Sequence, residues 1–312
     1  MGTGLRRPAG SRNGTGAQAT DAGAASKPRS AGEPPAPGLH IVGTPIGNLG
    51  DITLRALTVL RGVDLIACED TRVFAKLAAA HGIAAPTIAY ADATRARTEP
   101  RVLAALAEGK RVALVSDAGM PLVSDPGYPL VRAAIERDHP VSVAPGPSAP
   151  LAALALSGLP SERFLFAGFL PTKSGERRRA IGELAAIPAT LLFFEAPHRL
   201  PESLADLTDL LGPRPAAVAR ELTKLFEEVR RAPLDALARH YAEHPDIRGE
   251  IVVVVAPPGD SQPADAAEID RALGEALHSA SLRDAAAEVA ARFGRPRREV
   301  YARALELKRS QE

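Results

Sequence analysis

From Leu39 to about Leu156 the chain alternates short apolar runs with helix-like stretches, and this rhythm leaves few architectures open. Strands are expected at Leu39–Gly43, Asp64–Cys68, Thr87–Tyr90, Arg111–Ser116 and Val141–Ala144, each a short apolar run bounded by turn residues. The helices between them carry ordinary punctuation, with Thr71 placed to cap one and Gly82 and Gly109 to stop two others. Units of this kind predict a mostly parallel sheet with helices on its faces. From 161 to 258 the pattern changes. Strands at Phe164–Gly168, Thr190–Glu195, Ala216–Glu221, Phe226–Arg231 and Glu250–Ala256 have fewer helices between them. A mixed sheet is expected there, with the Lys224–Arg230 region and the final run as antiparallel partners.

Four segments follow. Residues 1–38 are rich in Gly, Ala, Pro, Ser and Arg, and with so few large apolar side chains they are expected to stay disordered. Within them Gly14-Thr-Gly16-Ala-Gln-Ala19 fits a dinucleotide fingerprint, but it lacks the strand before and the helix after that such a site needs. Residues 39–157 read as an N-terminal α/β domain and 158–258 as a second α/β domain. Residues 263–312 read as a small C-terminal helical module, in which Leu282–Arg292 and Arg297–Leu307 flank Phe293-Gly294-Arg295-Pro296. That is a helix-turn-helix pattern with a basic second helix; a packing hairpin with solvated arginines is the alternative. The expected class is α/β, with a mostly parallel first sheet, a mixed second sheet and a helical tail.

A length of 312 residues fits about two domains. The formal net charge of +1 gives no global argument for a polyanionic partner, although residues 281–312 hold eight Lys/Arg against five Asp/Glu. No apolar run approaches the roughly 20 residues of a membrane span, and no signal-peptide core stands near the N-terminus. Cys68 is the single cysteine, which excludes an internal disulfide and fits a reducing compartment; a cytoplasmic protein is expected.

The chemistry-bearing residues gather where strands hand over to helices. The stretch Ser116–Tyr128 packs Asp117, Asp125, Gly119, Gly127, Pro121 and Pro126 between an apolar strand and a helix. In open α/β sheets ligands bind beyond the strand ends, so a pocket is expected here. Gly43–Asp51 is a glycine-rich loop without the Gly-Lys-Ser/Thr of a phosphate-binding loop, which argues against a nucleotide triphosphatase. At Cys68–Arg72, Glu69 and Asp70 can receive a substrate group; Asp70 and Thr71 can equally cap a helix, and Cys68 reads as a core residue. Ala144–Ala149 sets Ser148 at a helix start whose free N–H groups can bind polar ligand atoms. Leu170–Arg179 carries four basic residues against one acid and reads as a phosphate-facing patch or a solvated helix start. Phe193–Arg199, with an expected buried aromatic pair, and Ala219–Lys224 place further charges at strand ends. His240-Tyr-Ala-Glu-His244 matches a zinc-peptidase spacing, but Pro245 follows at once and no third ligand is near, so no metal site is expected.

Taken in order, several motifs resemble those of the tetrapyrrole-methylase-type (class III) S-adenosylmethionine methyltransferases, and within them the bacterial 2′-O-ribose methylases of ribosomal RNA. They are Val42-Gly-Thr-Pro-Ile-Gly-Asn-Leu49, Asp64-Leu-Ile-Ala-Cys-Glu-Asp-Thr-Arg72, Ala113-Leu-Val-Ser-Asp-Ala-Gly-Met-Pro121 and Asp125-Pro-Gly-Tyr128. Pro145-Gly-Pro147, Gly168-Phe-Leu-Pro171, Ala196-Pro-His-Arg-Leu200 and Ala219-Arg-Glu-Leu-Thr-Lys224 continue the match, which spans about 39–256. The resemblance implies a methyl-donor cleft between two α/β domains, a homodimer, and a cytidine 2′-hydroxyl in the decoding region of 16S ribosomal RNA as substrate. It places Pro45, Asp117, Met120, Ser148, Ala149 and, from the second domain, Phe194 on S-adenosylmethionine. One departure stands out: where the family has a His-x-His-Asn-Glu cluster, this chain has Tyr90-Ala91-Asp92-Ala93-Thr94. A base must take the ribose proton, and Glu69, Asp70, Glu195 and Glu221 are candidates; Lys173, Arg199 and Lys224 are candidates for phosphate or oxyanion contacts. A tetrapyrrole-precursor methylase would share fold and donor. A non-enzymatic RNA-binding protein would explain the basic tail but leave the loops at Pro45, Asp117 and Pro147 without a purpose.

Overall fold

The computed structural model describes residues 34–259, 266–277, 280–293 and 297–311. The first half runs β1 (Gly38–Val42), α1 (Leu54–Gly62), β2 (Leu65–Cys68), α2 (Thr71–His81), β3 (Thr87–Ala89), α3 (Arg95–Ala107), β4 (Arg111–Val115), α4 (Tyr128–Ile135), β5 (Val141–Ala144) and α5 (Ala149–Ser157). Its strands form one parallel sheet in the order β3-β2-β4-β1-β5. Alternate side chains of each strand supply opposite faces. Val42, Ile66 and Val115 pack under Leu60, Phe74 and Leu77 on one side, while Leu39, Val112 and Leu114 pack under Val102, Leu106 and Leu130 on the other. Cys68 is buried in the first of these layers.

The second half runs β6 (Phe164–Phe169), α6 (Ser174–Leu184), β7 (Thr190–Glu195), α7 (Leu200–Leu211), β8 (Pro215–Arg220), β9 (Glu228–Pro233), α8 (Leu234–Glu243) and β10 (Ile251–Val255). The sheet order is β6-β7-β10-β8-β9; β6 and β7 are parallel and every other pair is antiparallel. The sheet is mixed as expected, but the expected pairing of the Lys224–Arg230 region with the last strand is corrected. That strand begins at Glu228 and pairs with β8, Ala219 opposite Val229, and β10 lies between β7 and β8. The physical reason is burial: Ile251-Val-Val-Val-Val255 is buried throughout and takes the centre, whereas Glu228-Val-Arg-Arg-Ala-Pro233 is polar and takes the edge. The expected pair of buried aromatics separates for the same kind of reason. Phe193 is fully buried under α7, and Phe194, on the opposite face, is half-buried against Phe166 and Phe169.

Helix α5 joins the halves. It follows a strand of the first sheet yet packs Ala153 and Leu154 on β7, β8 and β10, with Ile46 of the first half in the same layer. The tail holds α9 (Ala266–Leu277), α10 (Leu282–Phe293) and α11 (Arg297–Gln311), packed through Leu273, Val289, Val300 and Ala304. Ser281 caps α10, its hydroxyl accepting the Asp284 N–H at 3.2 Å, and Arg303 of α11 pairs with Asp270 of α9 at 2.7 Å. The glycine turn expected at 294–296 and most of the extension expected at 1–38 lie outside the described residues. Among the described residues no helix is long and apolar enough to cross a membrane.

Candidate active site

In the first sheet β1 leads leftward to β2 and β4 leads rightward to β5, so the chain direction switches between the neighbours β1 and β4. A crevice opens at such a point. Thr44 and Gly119 form an antiparallel bridge across it, with N–H···O distances of 2.8 and 3.1 Å, and the Thr44 hydroxyl donates to the Ser116 carbonyl at 3.2 Å. The loop after β5 closes on the same spot. A Cβ on Gly146 would lie 2.9 Å from the Gly43 Cα, so the two backbones touch where only glycine fits. The first loop then reaches the second half, the Asn48 N–H donating to the Thr223 hydroxyl at 3.1 Å. Leu122 (φ 73°) and Ser124 (φ 65°) are left-handed without being glycine, in the same loop as Gly119 and Gly127. Backbone strain concentrated in one loop is a mark of sites that must hold a shape.

Between these loops and the second sheet lies a cleft of about 430 Å³. Of the six residues expected to hold the donor, Asp117, Met120, Ser148, Ala149 and Phe194 line it; Pro45 is buried beside it and presents its neighbour Ile46 instead. Of the expected bases, Glu69 and Glu195 line it, whereas Asp70 and Glu221 do not. Lys173, Arg199 and Lys224 also lie outside its wall.

Glu69, Asp117 and Asp125 come from loops after β2 and β4 and have no ion-pair partner among the described residues. Burial raises the Glu69 carboxyl, against a hydrogen bond from the Asp117 N–H, and raises that of Asp117 against one from the Asp70 N–H. Burial pushes Asp125 up to about 6, the Ser116 hydroxyl opposing and the charges of Glu69 and Asp117 reinforcing. Asp70 behaves otherwise. It caps α2 by accepting the Arg72 N–H at 2.8 Å, and its bonds to Arg72 hold its carboxyl at about 2. The capping role expected of Thr71 therefore falls to Asp70, because Thr71 is already the first helical residue.

The carboxylates of the second half are tied to cations or hydroxyls. Buried Glu195 accepts from Ser203 at 2.5 Å and from the Ala196 N–H at 2.8 Å, and sits 3.4 Å from Arg199. Arg199 turns inward and donates to the Leu170 and Pro171 carbonyls at 2.6 and 3.2 Å, joining the ends of β6 and β7. Glu221 is held below its usual range chiefly by a hydrogen bond from Lys224, which also reaches Glu250. In the expected phosphate-facing patch, Arg177 is buried against Asp206 at 2.6 Å and Arg178 pairs with Asp206 and Asp209. Lys173 remains exposed, 3.4 Å from Glu176.

Asp125, in the Ser116–Tyr128 loop where a pocket is expected, lines the cleft. Phe169 and Glu250 line it too, and the sequence motifs gave neither a site role. Phe169 ends β6 and packs against Phe194 at a tilt of 52°, with ring centroids 5.3 Å apart. Glu250 had no signal at all: it precedes β10, and antiparallel pairing brings that start level with the ends of β7 and β8, Ile251 opposite Glu195 and Arg220.

With this geometry in view, the comparisons decide the family. Residues 38–238 match the model for tetrapyrrole (corrin/porphyrin) methylases. The chain belongs to that family. Residues 263–308 match a second model, the RsmI C-terminal HTH domain. Relatives of this methylase include the ribosomal RNA small subunit methyltransferase I of Mesorhizobium japonicum, 51% identical over 87% of this chain and 92% of that protein. The same-named protein of Erythrobacter litoralis is 50% identical over 88% of this chain and 97% of its own length. Among solved structures, uroporphyrin-III-C-methyltransferase from Thermus thermophilus shares the fold, with a TM-score of 0.52 and 21% identity over 70% of this chain and 93% of that one.

S-adenosylmethionine is the methyl donor of this methylase, and the cleft fits it. Unpaired carboxylates suit a cationic sulfonium, and Ile46, Met120, Phe194 and Leu222 offer apolar walls to a flat heterocycle. The glycine contact at Gly43 and Gly146 lets backbone approach closely, and the Ser148 side chain makes no capping bond to α5.

Proposed function

We propose that this chain transfers a methyl group from S-adenosylmethionine to the 2′-hydroxyl of a cytidine in the decoding region of 16S ribosomal RNA. The observation that carries the reading is identity of about half over nearly the whole length of relatives named for methylating small-subunit ribosomal RNA. The donor supplies an electrophilic methyl group. Asp117, Met120, Ser148, Ala149 and Phe194 hold it, and the knitted loops around Thr44, Gly119 and Gly146 fix its orientation. Alignment of acceptor and methyl contributes much of the rate in such a transfer. Arg199, Glu195 and Ser203 keep the second-half wall in place, and Lys173 meets phosphate at the surface.

A tetrapyrrole precursor rich in carboxylates fits less well, because the cleft already presents Glu69, Asp117, Asp125 and Glu250. We further propose a cytoplasmic homodimer; Leu225 and Phe226, 88% and 69% exposed on the turn between β8 and β9, support a self-association surface that light scattering would reveal. The decisive assay is transfer of labelled methyl to small ribosomal subunits lacking native methylation, with nucleoside analysis. Labelled 2′-O-methylcytidine is expected. No transfer to subunits or naked 16S RNA by protein that binds donor would turn the assignment toward a small-molecule acceptor.

A further inference from the structure

A second cavity, of about 540 Å³, adjoins the donor cleft and shares Glu69, Ser124 and Asp125 with it. Its other wall comes from the loop after β3, Ala91-Asp92-Ala93, and from the start of α4 at Gly127-Tyr128. The cavity lies in the size range of ligand pockets, ~300–1,000 Å³, and no residue expected to hold the donor lines it.

Its chemistry selects its occupant. Asp92, Glu69 and Asp125 would repel a phosphate but accept hydrogen bonds from amine and hydroxyl groups. Tyr128 stands at the rim, 64% exposed, where an unstacked base can lie on its ring. Ser124, left-handed at φ 65°, borders both cavities beside Asp125. Resting on the function proposed above, we propose that this second cavity receives the acceptor nucleoside, flipped from the RNA with its base on Tyr128, and that Asp125 takes the proton of the ribose hydroxyl.

The step balances. A lone pair of the hydroxyl oxygen forms the new bond to the methyl carbon as the sulfur–methyl bond breaks, its electron pair staying on sulfur to give the neutral thioether. The hydroxyl proton passes to the Asp125 carboxylate and from there to water. Asp125 suits the role because it borders both cavities and its proton affinity stands closer to neutrality than an ordinary aspartate's. The charged groups facing it are Glu69 from the end of β2 and Asp117 after β4, and Asp92 after β3 shares the cavity.

The test pairs two variants with two readouts. Asp125→Asn is expected to bind S-adenosylhomocysteine within about threefold of wild type by calorimetry, yet to slow single-turnover transfer to unmethylated small subunits by about 10²- to 10⁴-fold. The acid limb of the wild-type pH–rate profile should vanish in it. Tyr128→Ala is expected to raise KM for subunits about 5- to 150-fold with kcat nearly kept, and Tyr128→Phe to restore KM. Wild-type transfer by Asp125→Asn, or loss of S-adenosylhomocysteine affinity in it, would overturn the base assignment; an unchanged KM in Tyr128→Ala would overturn the pocket. Absence of transfer by the wild-type protein itself would instead overturn the function on which the inference rests.

Discussion

The two sides of the cleft use the same residue type in opposite ways. On the first-half side, Glu69, Asp117 and Asp125 face the cavity with no ion-pair partner among the described residues, and burial raises each of them. On the second-half side, Glu195 is locked by Ser203 and Arg199, and outside the wall Glu221 is drawn down by Lys224. A carboxylate at a strand end is thus either a reagent kept costly or a fastener kept satisfied, and its partner tells which. The contrast makes different variants fail in different ways.

The largest effect should come from unlocking the fastener. Glu195→Ala leaves Arg199 buried without its acid and removes the acceptor of Ser203. Breaking a buried pair from one side costs about 3–5 kcal/mol, so chemical denaturation should show a markedly lower midpoint. A midpoint within experimental error of wild type would mean that the network is decoration.

Next in size is the opposite sign. Below its ordinary value of 3.8, Asp125 is protonated in folded and unfolded chains alike and costs nothing. As pH rises from there to about 6, the unfolded chain releases the proton and the folded chain resists, so the fold loses stability. Above that window the cost is at most about 3 kcal/mol, at 1.36 kcal/mol per pKa unit. Asp125→Asn should therefore be more stable than wild type at pH 7 and match it near pH 3. Site residues held against their own stability behave this way. Equal melting curves at neutral pH would place Asp125 among the fasteners.

Glycine positions sharpen the comparison between site and scaffold. Gly146→Ala forces a Cβ against the Gly43 backbone and should cost about 1–3 kcal/mol by overpacking, together with donor affinity. Gly182→Ala, in α6 with nothing within 4 Å of the added carbon, should stabilise the fold by about 0.5–1 kcal/mol. Matching effects at the two positions would remove the argument for a close backbone approach at the cleft.

The first sheet was legible because each strand is a short apolar run with a helix after it, and its strand-end loops carried Asp117 and Ser148 in plain view. The second sheet was legible in its strands but misread in its pairing. The cue was present, since a strand buried on both faces belongs at the centre and an Arg-rich one at the edge. Arg177 shows the limit of local reading. In the sequence it belongs to a basic run, yet it lies one turn before buried Ile181 and meets an acid on another helix, which no local pattern announces. Glu250 was hidden for a topological reason: ligand sites are expected beyond strand ends, and antiparallel β10 brings its beginning there.

A similarly small effect tests a fastener from its cationic end. Lys224 holds Glu221 at 2.8 Å and Glu250 at 3.0 Å, in a turn where Glu221 (φ 50°) and Thr223 (φ 64°) are both left-handed. Its side chain is partly exposed, so solvent screens the pairs and Lys224→Met should cost only about 1 kcal/mol. The dependence on pH is the sharper readout. Glu221 has a folded pKa below its ordinary value, so its contribution is present above that value and is lost as pH falls through the lowered one. The gap between wild type and Lys224→Met should be widest near neutrality and should close in acid. The gap between Asp125→Asn and wild type closes in acid as well, with the variant as the more stable partner. Two variants, one in the cleft wall and one in the second half outside that wall, moving stability in opposite directions and converging at low pH, would establish that the first-half carboxylates are held ready for chemistry and the second-half ones are held together.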